Sequence, residues 1–176
     1  VIKQSAAGYM QPKAEVEDKA KYGIHIHAIL SRIKYQDEWQ DAFDALYREG
    51  VIVEAEKPEI EGLITQLFLD ETIAAWFSRD WQVRTEVPVL TPGAGDNRID
   101  RVMIRDKQAV VVDFKTGAPS KNDVTQVLNY MNTLGKMNFA PVQGYLLYTK
   151  TGEVVPVQSS GTKAKSSDKN QLGLGL

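Results

Sequence analysis

Residues 109–112, Ala-Val-Val-Val, form an apolar run that continues directly into Asp113, Phe114 and Lys115. A short run that is apolar on both faces predicts a strand in the middle of a sheet, covered from both sides. Because side chains alternate along a strand, Asp113 and Lys115 are expected on one face and Phe114 on the other. Such a strand needs a neighbour at each edge, so a purely helical fold is excluded.

The spacing of apolar residues changes along the chain from a helical period to a strand period. Helices are predicted at 22–34, 37–48, 58–77 and 122–135, the last beginning with a capping arrangement of Ser120 and Asp123. Strands are predicted at 83–89, 98–105, 109–114, 142–149 and 153–157. A hairpin turn at 106–107 and a helix that crosses between two strands predict a mixed sheet. The expected fold is α/β or α+β, a central mixed β-sheet flanked by helices with an N-terminal helical segment.

The chain divides into three parts. Residues 1–21 are a polar lead-in, 22–157 are expected to form one domain, and 158–176 are expected to be a flexible tail. Within the domain, 22–80 form the helical part and 81–157 the sheet core. Because the chain begins with Val rather than Met, we expect a partner domain upstream.

Composition excludes several kinds of site. The 176 residues include no cysteine, which excludes a disulfide scaffold, a thiolate zinc site and a cysteine nucleophile. No apolar run approaches the roughly 20 residues that span a bilayer, so no membrane association is expected. The net charge of −2 differs from the basic balance typical of free-standing DNA-binding proteins. A DNA substrate would therefore meet a local basic surface or be delivered by another domain.

Two acidic residues and a lysine are expected at one end of the sheet. The hairpin at 106–107 places Asp100 nearly opposite Asp113, with Lys115 on the same face. Two carboxylates hold a hard cation such as Mg²⁺ while leaving positions for a phosphate oxygen and a water. The cation lowers the pKa of that water, and a nearby ammonium stabilises developing negative charge. The combination predicts hydrolysis of a phosphodiester.

This Asp…Asp-x-Lys arrangement on paired strands resembles the signature of the PD-(D/E)XK nuclease superfamily. Further motifs resemble its RecB/AddA branch, the nuclease domains of helicase–nucleases. They are Gly-x-x-x-His at 23–27, the strand residue Glu86, and Gln-x-x-x-Tyr at 126–130. Ile99 stands where the superfamily's name has Pro, a position that varies widely. The resemblance covers residues 22–157.

The resemblance implies a role for each matched residue. The ligands of Mg²⁺ or Mn²⁺ would be His27, Asp100, Asp113 and the backbone carbonyl of Phe114. The catalytic residues would be Asp100, Asp113, Lys115 and Glu86, with Glu86 holding a metal-bound water or a second metal. The residues that line the site and contact DNA would be Gln126 and Tyr130.

Each of these residues also has an ordinary interpretation. His27 on an apolar-flanked helix would be a packed histidine, and Glu86 the polar face of a half-buried strand. Gln126 and Tyr130 would border an amphipathic helix. His25 lies about 200° around the helix from His27 and is expected to be structural or exposed.

Several basic residues near the expected site have two interpretations. They are candidates for phosphate contacts and equally for an ordinary solvated surface: Arg98, Arg101, Lys121 and Lys136. Trp76 and Phe77 are expected in the core.

The sequence therefore predicts a Mg²⁺- or Mn²⁺-dependent deoxyribonuclease. The resemblance implies exonuclease action on linear single- or double-stranded DNA ends, with a helicase domain as partner, in recombinational repair at the bacterial nucleoid in the cytoplasm. Two alternatives stay open: an inactive nuclease fold that binds DNA or serves an architectural role, and a free-standing endonuclease. Metal binding would distinguish the first, and cleavage of closed circles the second.

Overall fold

A computed structural model of the chain describes residues 13–89 and 97–158. The helices are α1 (Lys13–Arg32), α2 (Trp39–Arg48), α3 (Lys57–Leu67), α4 (Glu71–Trp76) and α5 (Lys121–Lys136). The strands are β1 (Gln82–Val89), β2 (Asn97–Arg105), β3 (Gln108–Lys115), β4 (Val142–Tyr148) and β5 (Glu153–Val157). Single 3₁₀ turns, Gln36–Glu38 and Glu54–Glu56, precede α2 and α3. The residues outside the described ranges are 1–12, 90–96 between β1 and β2, and 159–176, which include nearly all of the predicted tail.

The five strands form one sheet in chain order. β1, β2 and β3 pair antiparallel, β3 and β4 pair parallel, and β4 and β5 pair antiparallel. The β2–β3 turn contains Asp106 in a left-handed conformation, φ 55°, which the tight turn requires. The parallel pair is joined through α5, as expected. This mixed sheet with helices packed against it confirms the predicted fold class.

Strand β3 is covered on both faces. Six of its eight residues are buried. Val112 and Phe114 pack among apolar side chains of α1 to α4, including Ile26, whereas Val111 packs against Tyr130 of α5. The predicted central strand therefore lies between two helical layers, and its carboxyl end is reached from both of them.

Helix α5 is held close to the sheet by a glycine. A Cβ on Gly144 of β4 would overlap the side chains of Val127 and Met131 of α5. At the start of α5, the Asp123 carboxylate accepts the backbone N–H of Ser120 at 3.0 Å, half of the predicted capping box. The first turn of α5 is thereby fixed beside the end of β3.

Two predicted helix boundaries were wrong. The helix predicted over 58–77 is interrupted after α3, because the Asp70 side chain accepts the N–H groups of Thr72 and Ile73 and starts α4. Helix α1 begins at Lys13, inside the segment interpreted as a lead-in. Within the described residues, none of the helices is both long and apolar enough to cross a membrane.

Candidate active site

The carboxylates of Asp100 and Asp113 lie close together where the hydrogen-bonded pairing of β2 and β3 ends. The register pairs Arg101 with Val112, so the next step along both strands brings Asp100 opposite Asp113. Asp100 Oδ2 accepts the backbone N–H of Phe114 at 2.5 Å, a contact that spans the two strands. The convergence expected from the hairpin is present.

Asp113 carries its charge in a buried position. It is 2% exposed, and its burial together with the nearby Asp100 carboxylate raises its pKa to about 6, against the opposing effect of Lys115. Lys115 Nζ lies 2.6 Å from Asp113 Oδ2. This ion pair is a close polar contact of Oδ2, and no further hydrogen bond to that oxygen is made within the described residues. A metal cation that bound Oδ2 would have to share or displace the Lys115 ammonium.

His27 reaches these carboxylates from the opposite face of the sheet. Its Nε2 lies 3.7 Å from Asp100 Oδ2, and its ring stands edge-on to Phe114 with centroids 5.7 Å apart. Contact with Asp100 raises the pKa of His27, burial opposes the shift, and the charges of Glu86 and Asp113 add to it. The predicted ligands His27, Asp100 and Asp113 are thus brought to one end of the sheet.

Lys115 is held by a chain of hydrogen bonds that runs along α5. Its Nζ donates to Gln126 Oε1 at 2.8 Å, and Gln126 Nε2 donates to the Tyr130 hydroxyl at 2.6 Å. Tyr130 in turn donates to the backbone carbonyl of Arg98 at 2.9 Å. Tyr130 is 2% exposed, so its visible contribution is to orient Gln126. Contact of Gln126 or Tyr130 with DNA stays a prediction.

Glu86 occupies an unusual backbone position on the β1 side of the site. It is half-buried and has a φ of 51° in the middle of a strand. The β1–β2 pairing includes its neighbours Thr85 and Val87 but not Glu86 itself. A residue other than glycine at positive φ costs backbone energy, and outside turns such positions are found mainly at functional sites.

A cavity of about 480 Å³ opens beside these residues. It is lined by Ile24, His27, Phe114, Lys115, residues 116–118 and Asp123. Its volume lies in the range of small-molecule sites, roughly 300–1,000 Å³. The cavity therefore gives a substrate access to Lys115 and His27.

A family model described as the PD-(D/E)XK nuclease superfamily matches residues 4–171. The chain belongs to this superfamily. No curated protein matches the sequence. The match gives the superfamily without its branch, so the more specific resemblance to RecB/AddA nucleases stays a prediction.

The donor atoms of this PD-(D/E)XK site suit a divalent cation. The two carboxylates are the oxygen ligands that Mg²⁺ and Mn²⁺ prefer, and the His27 imidazole adds a nitrogen donor that suits Mn²⁺ better than Mg²⁺. Among residues 13–89 and 97–158, no three histidine or acidic side chains are gathered closely enough to enclose an ion. The contact between Lys115 and Asp113 occupies the oxygen that a cation would use.

Gly23 and Thr149 fasten α1 to the end of β3. The Thr149 hydroxyl lies 2.9 Å from the Gly23 carbonyl and 3.2 Å from the Lys115 carbonyl, so its proton is shared between them. A Cβ on Gly23 would lie 3.5 Å from the side chain of Lys150, an ordinary contact that leaves room for alanine and little more. Gly23 therefore lies in contact with the segment that follows β4. Thr149, which joins this segment to α1, was not predicted as a site residue.

The burial of Arg101 and His25 decides what was predicted for each of them. Arg101 is 0% exposed, so the predicted phosphate contact and its solvated alternative are both wrong. His25 is buried rather than exposed, with Nε2 3.5 Å from a carboxylate oxygen of Glu56. Three further basic residues are exposed and stay candidates for phosphate contact: Arg98, Lys121 and Lys136.

Asp123 and Ile24 line the cavity without having been predicted as site residues. Asp123 was interpreted only as part of a helix cap, yet its Oδ1 lies 3.9 Å from Lys115 Nζ. Ile24 is 58% exposed at the cavity, one turn before His27. The spacing from Ile24 to His27 is a helical i, i+3 step, a signal that was available in the sequence.

Proposed function

We propose that this domain is a Mg²⁺- or Mn²⁺-dependent deoxyribonuclease that hydrolyses phosphodiester bonds. The observation that carries the proposal is the pairing of Asp100 with buried Asp113, one oxygen of which contacts Lys115 and makes no further hydrogen bond within the described residues. Membership of the PD-(D/E)XK superfamily supports the same chemistry.

The metal ligands in this proposal are side chains of His27, Asp100 and Asp113, with the carbonyl of Phe114 as a further donor. A bound divalent cation supplies Lewis acidity toward a phosphate oxygen and a more acidic water. His27 and Asp100 lie in contact, which sets their relative orientation before any ligand arrives. Glu86 adds a further carboxylate from β1, for an outer water or a second cation.

Lys115 is the proposed catalytic lysine. It lines the cavity, and its ammonium group is oriented by Gln126, whose own amide is held by Tyr130. In that position it can orient an attacking water or stabilise charge that develops on the phosphoryl oxygens. The proposed role of Gln126 is therefore to fix the lysine, in addition to any contact with DNA.

We also propose that the domain works with a DNA helicase in processing DNA ends, with exonuclease action. The motifs at 23–27 and 126–130 support the RecB/AddA resemblance on which this rests, since both contribute residues to the site. The net charge of −2 is consistent with a module that receives DNA from a tethered partner. We expect the isolated domain to bind DNA with a Kd of about 1 μM or weaker at physiological salt.

The test is digestion of labelled linear single-stranded, linear double-stranded and closed circular DNA with Mg²⁺, Mn²⁺ or EDTA. Asp113→Asn and Lys115→Ala are compared with Lys107→Ala, which removes an exposed lysine in the β2–β3 turn, at the opposite end of β3 from Lys115. We expect metal-dependent cleavage in the wild type and in Lys107→Ala, and its loss in the two site variants.

The substrate form separates the alternatives. Cleavage confined to linear DNA supports end processing, whereas cleavage of circles supports a free-standing endonuclease. If the domain neither cleaves nor binds Mg²⁺ or Mn²⁺ in calorimetry, the nuclease proposal is wrong and the architectural alternative replaces it.

A further inference from the structure

Lys115 lies among three oxygen acceptors. Its Nζ is 2.6 Å from Asp113 Oδ2, 2.8 Å from Gln126 Oε1 and 3.9 Å from Asp123 Oδ1. The first two are close contacts, and the third is an ion pair too long for a hydrogen bond. The ammonium group therefore lies in contact with the Asp113 carboxylate, and a second carboxylate, that of Asp123, lies slightly beyond hydrogen-bond distance.

The carboxylate of Asp123 is itself held in place. Its Oδ2 accepts the backbone N–H of Ser120 at 3.0 Å and the hydroxyl of Tyr148 at 3.3 Å. Tyr148 is the strand partner of Lys115 in the β3–β4 register. With Oδ2 engaged by these two donors, Oδ1 is the oxygen that faces the lysine.

We propose that Asp123 is a positioning residue that holds the Lys115 ammonium in the site when Asp113 is engaged by the divalent cation. This inference rests on the proposed function, since it concerns the state in which the cation is bound. The physical reason is a conflict at one oxygen. Lys115 contacts Asp113 Oδ2, and a divalent cation held by the same carboxylate would repel the ammonium.

Repulsion alone would move the lysine out of the site, because a long side chain regains rotamer entropy in solvent. Asp123 supplies a fixed negative charge 3.9 Å from the ammonium, and Gln126 supplies a neutral acceptor at 2.8 Å. Together they would keep Lys115 at the cavity once Asp113 binds the cation. Neither residue needs to touch the cation or the phosphate.

The test uses Asp123→Asn, which removes the charge but keeps an oxygen for Ser120 and Tyr148. We expect kcat to fall about tenfold with KM nearly unchanged, because the lysine acts on the transition state. Mg²⁺ affinity and Tm should stay close to wild type. Asp123→Ala should lose the same activity and lower Tm as well, because it also removes the acceptor at the start of α5. Asp44→Asn, an exposed acid on α2, is the charge control.

A second readout does not depend on catalysis. A double-mutant cycle of Asp123→Asn and Lys115→Met in urea unfolding measures the coupling between the two charges. We expect a coupling that grows when Mg²⁺ is added, since the lysine then relies on Asp123. This direction distinguishes a positioning role from a helix cap, whose contribution does not depend on Mg²⁺.

Each outcome has a separate meaning. A cycle that is additive in Mg²⁺, or an unchanged kcat in Asp123→Asn of an active domain, overturns the inference and leaves the nuclease proposal standing. A loss of Mg²⁺ affinity in Asp123→Asn also overturns it, since Asp123 would then be a ligand. A wild-type domain that neither cleaves nor binds the cation overturns both together.

Discussion

Arg101 and Asp113 are buried charged residues on neighbouring strands, and they differ in the groups that their side chains contact. Arg101 donates to the carbonyls of Ile33 and Trp76 at 3.1 and 2.9 Å, and its guanidinium lies 3.8 Å from the ring centroid of Phe77. A further bond reaches the carbonyl of Lys34, whereas Arg101 Nε has no hydrogen-bond partner among the described residues. Asp113 follows the strand partner of Arg101, and its Oδ2 contacts the Lys115 ammonium at 2.6 Å without a further hydrogen bond in the described part of the chain.

From this difference we infer a structural role for Arg101, and the proposed function gives Asp113 a role as metal ligand. Arg101 uses its donors on the carbonyls that follow α1 and end α4, so it joins two helices to β2. The Asp113 Oδ2 atom joins no other element of the fold, and its close partner is the Lys115 ammonium two residues along the same strand. Burial of this carboxylate costs stability even with such a partner, which is typical of groups that bind a ligand. The comparison predicts that Asp113 matters for activity and Arg101 for stability.

The largest expected effect is on cleavage. Asp113→Asn should reduce metal-dependent DNA cleavage by about a thousandfold, because the neutral amide is a poor ligand for the cation. Cleavage of end-labelled DNA under single-turnover conditions measures it. Arg101→Lys, assayed at a temperature where it stays folded, should lose no more than a few-fold. An equal loss in both variants would remove the distinction between the two charges.

The second effect is on stability. Arg101→Met should lower the free energy of unfolding by about 3 kcal/mol, because several buried carbonyls lose their donor. Urea denaturation followed by tryptophan fluorescence measures the change. Arg105→Met is the control, since Arg105 is exposed and its guanidinium lies over the ring of Trp81. If Arg101→Met lowered the free energy of unfolding no more than Arg105→Met, the bonds from Arg101 to the two helices would not stabilise the fold.

The third effect is the pH dependence of stability without metal. In EDTA, Asp113→Asn should have a Tm equal to or above wild type near pH 7, because it removes a buried charge. The folded pKa of about 6 lies above the ordinary value of about 3.9, so the folded state holds its proton more tightly. The wild type should therefore lose stability as pH rises from about 4 to 6, relative to the variant. If Tm changed with pH in the same way in the wild type and in Asp113→Asn, burial would not raise the pKa of Asp113.

The sequence predicted those features that depend on neighbouring residues. The alternation in β3 and the tight turn after Arg105 placed Asp100, Asp113 and Lys115 together, because strand geometry fixes side-chain direction and register. The contacts of Arg101 were not predicted, since its partner Ile33 lies 68 residues away. Apolar periodicity indicates which residues are buried but not which distant carbonyls a buried cation will meet. Asp123 was missed because its position in a helix cap already accounted for it.

The smallest expected effect concerns Glu86, whose backbone has a positive φ. Asp106 and Asn138 share this conformation, but both follow the end of an element, where a turn requires it. Glu86 lies within β1, where no turn does. Glycine adopts positive φ freely, so Glu86→Gly should be more stable than Glu86→Ala by about 1 kcal/mol.

Activity then shows whether this strained backbone position serves the site. Both Glu86 variants lack the carboxylate, so they should lose the same fraction of cleavage if the side chain acts on a metal-bound water or second cation. A loss in Glu86→Ala alone would instead mean that the backbone conformation matters and the carboxylate does not. If neither variant loses activity, the position is a local irregularity of an edge strand. The metal site would then consist of residues from α1, β2 and β3, including Asp113, without a contribution from β1.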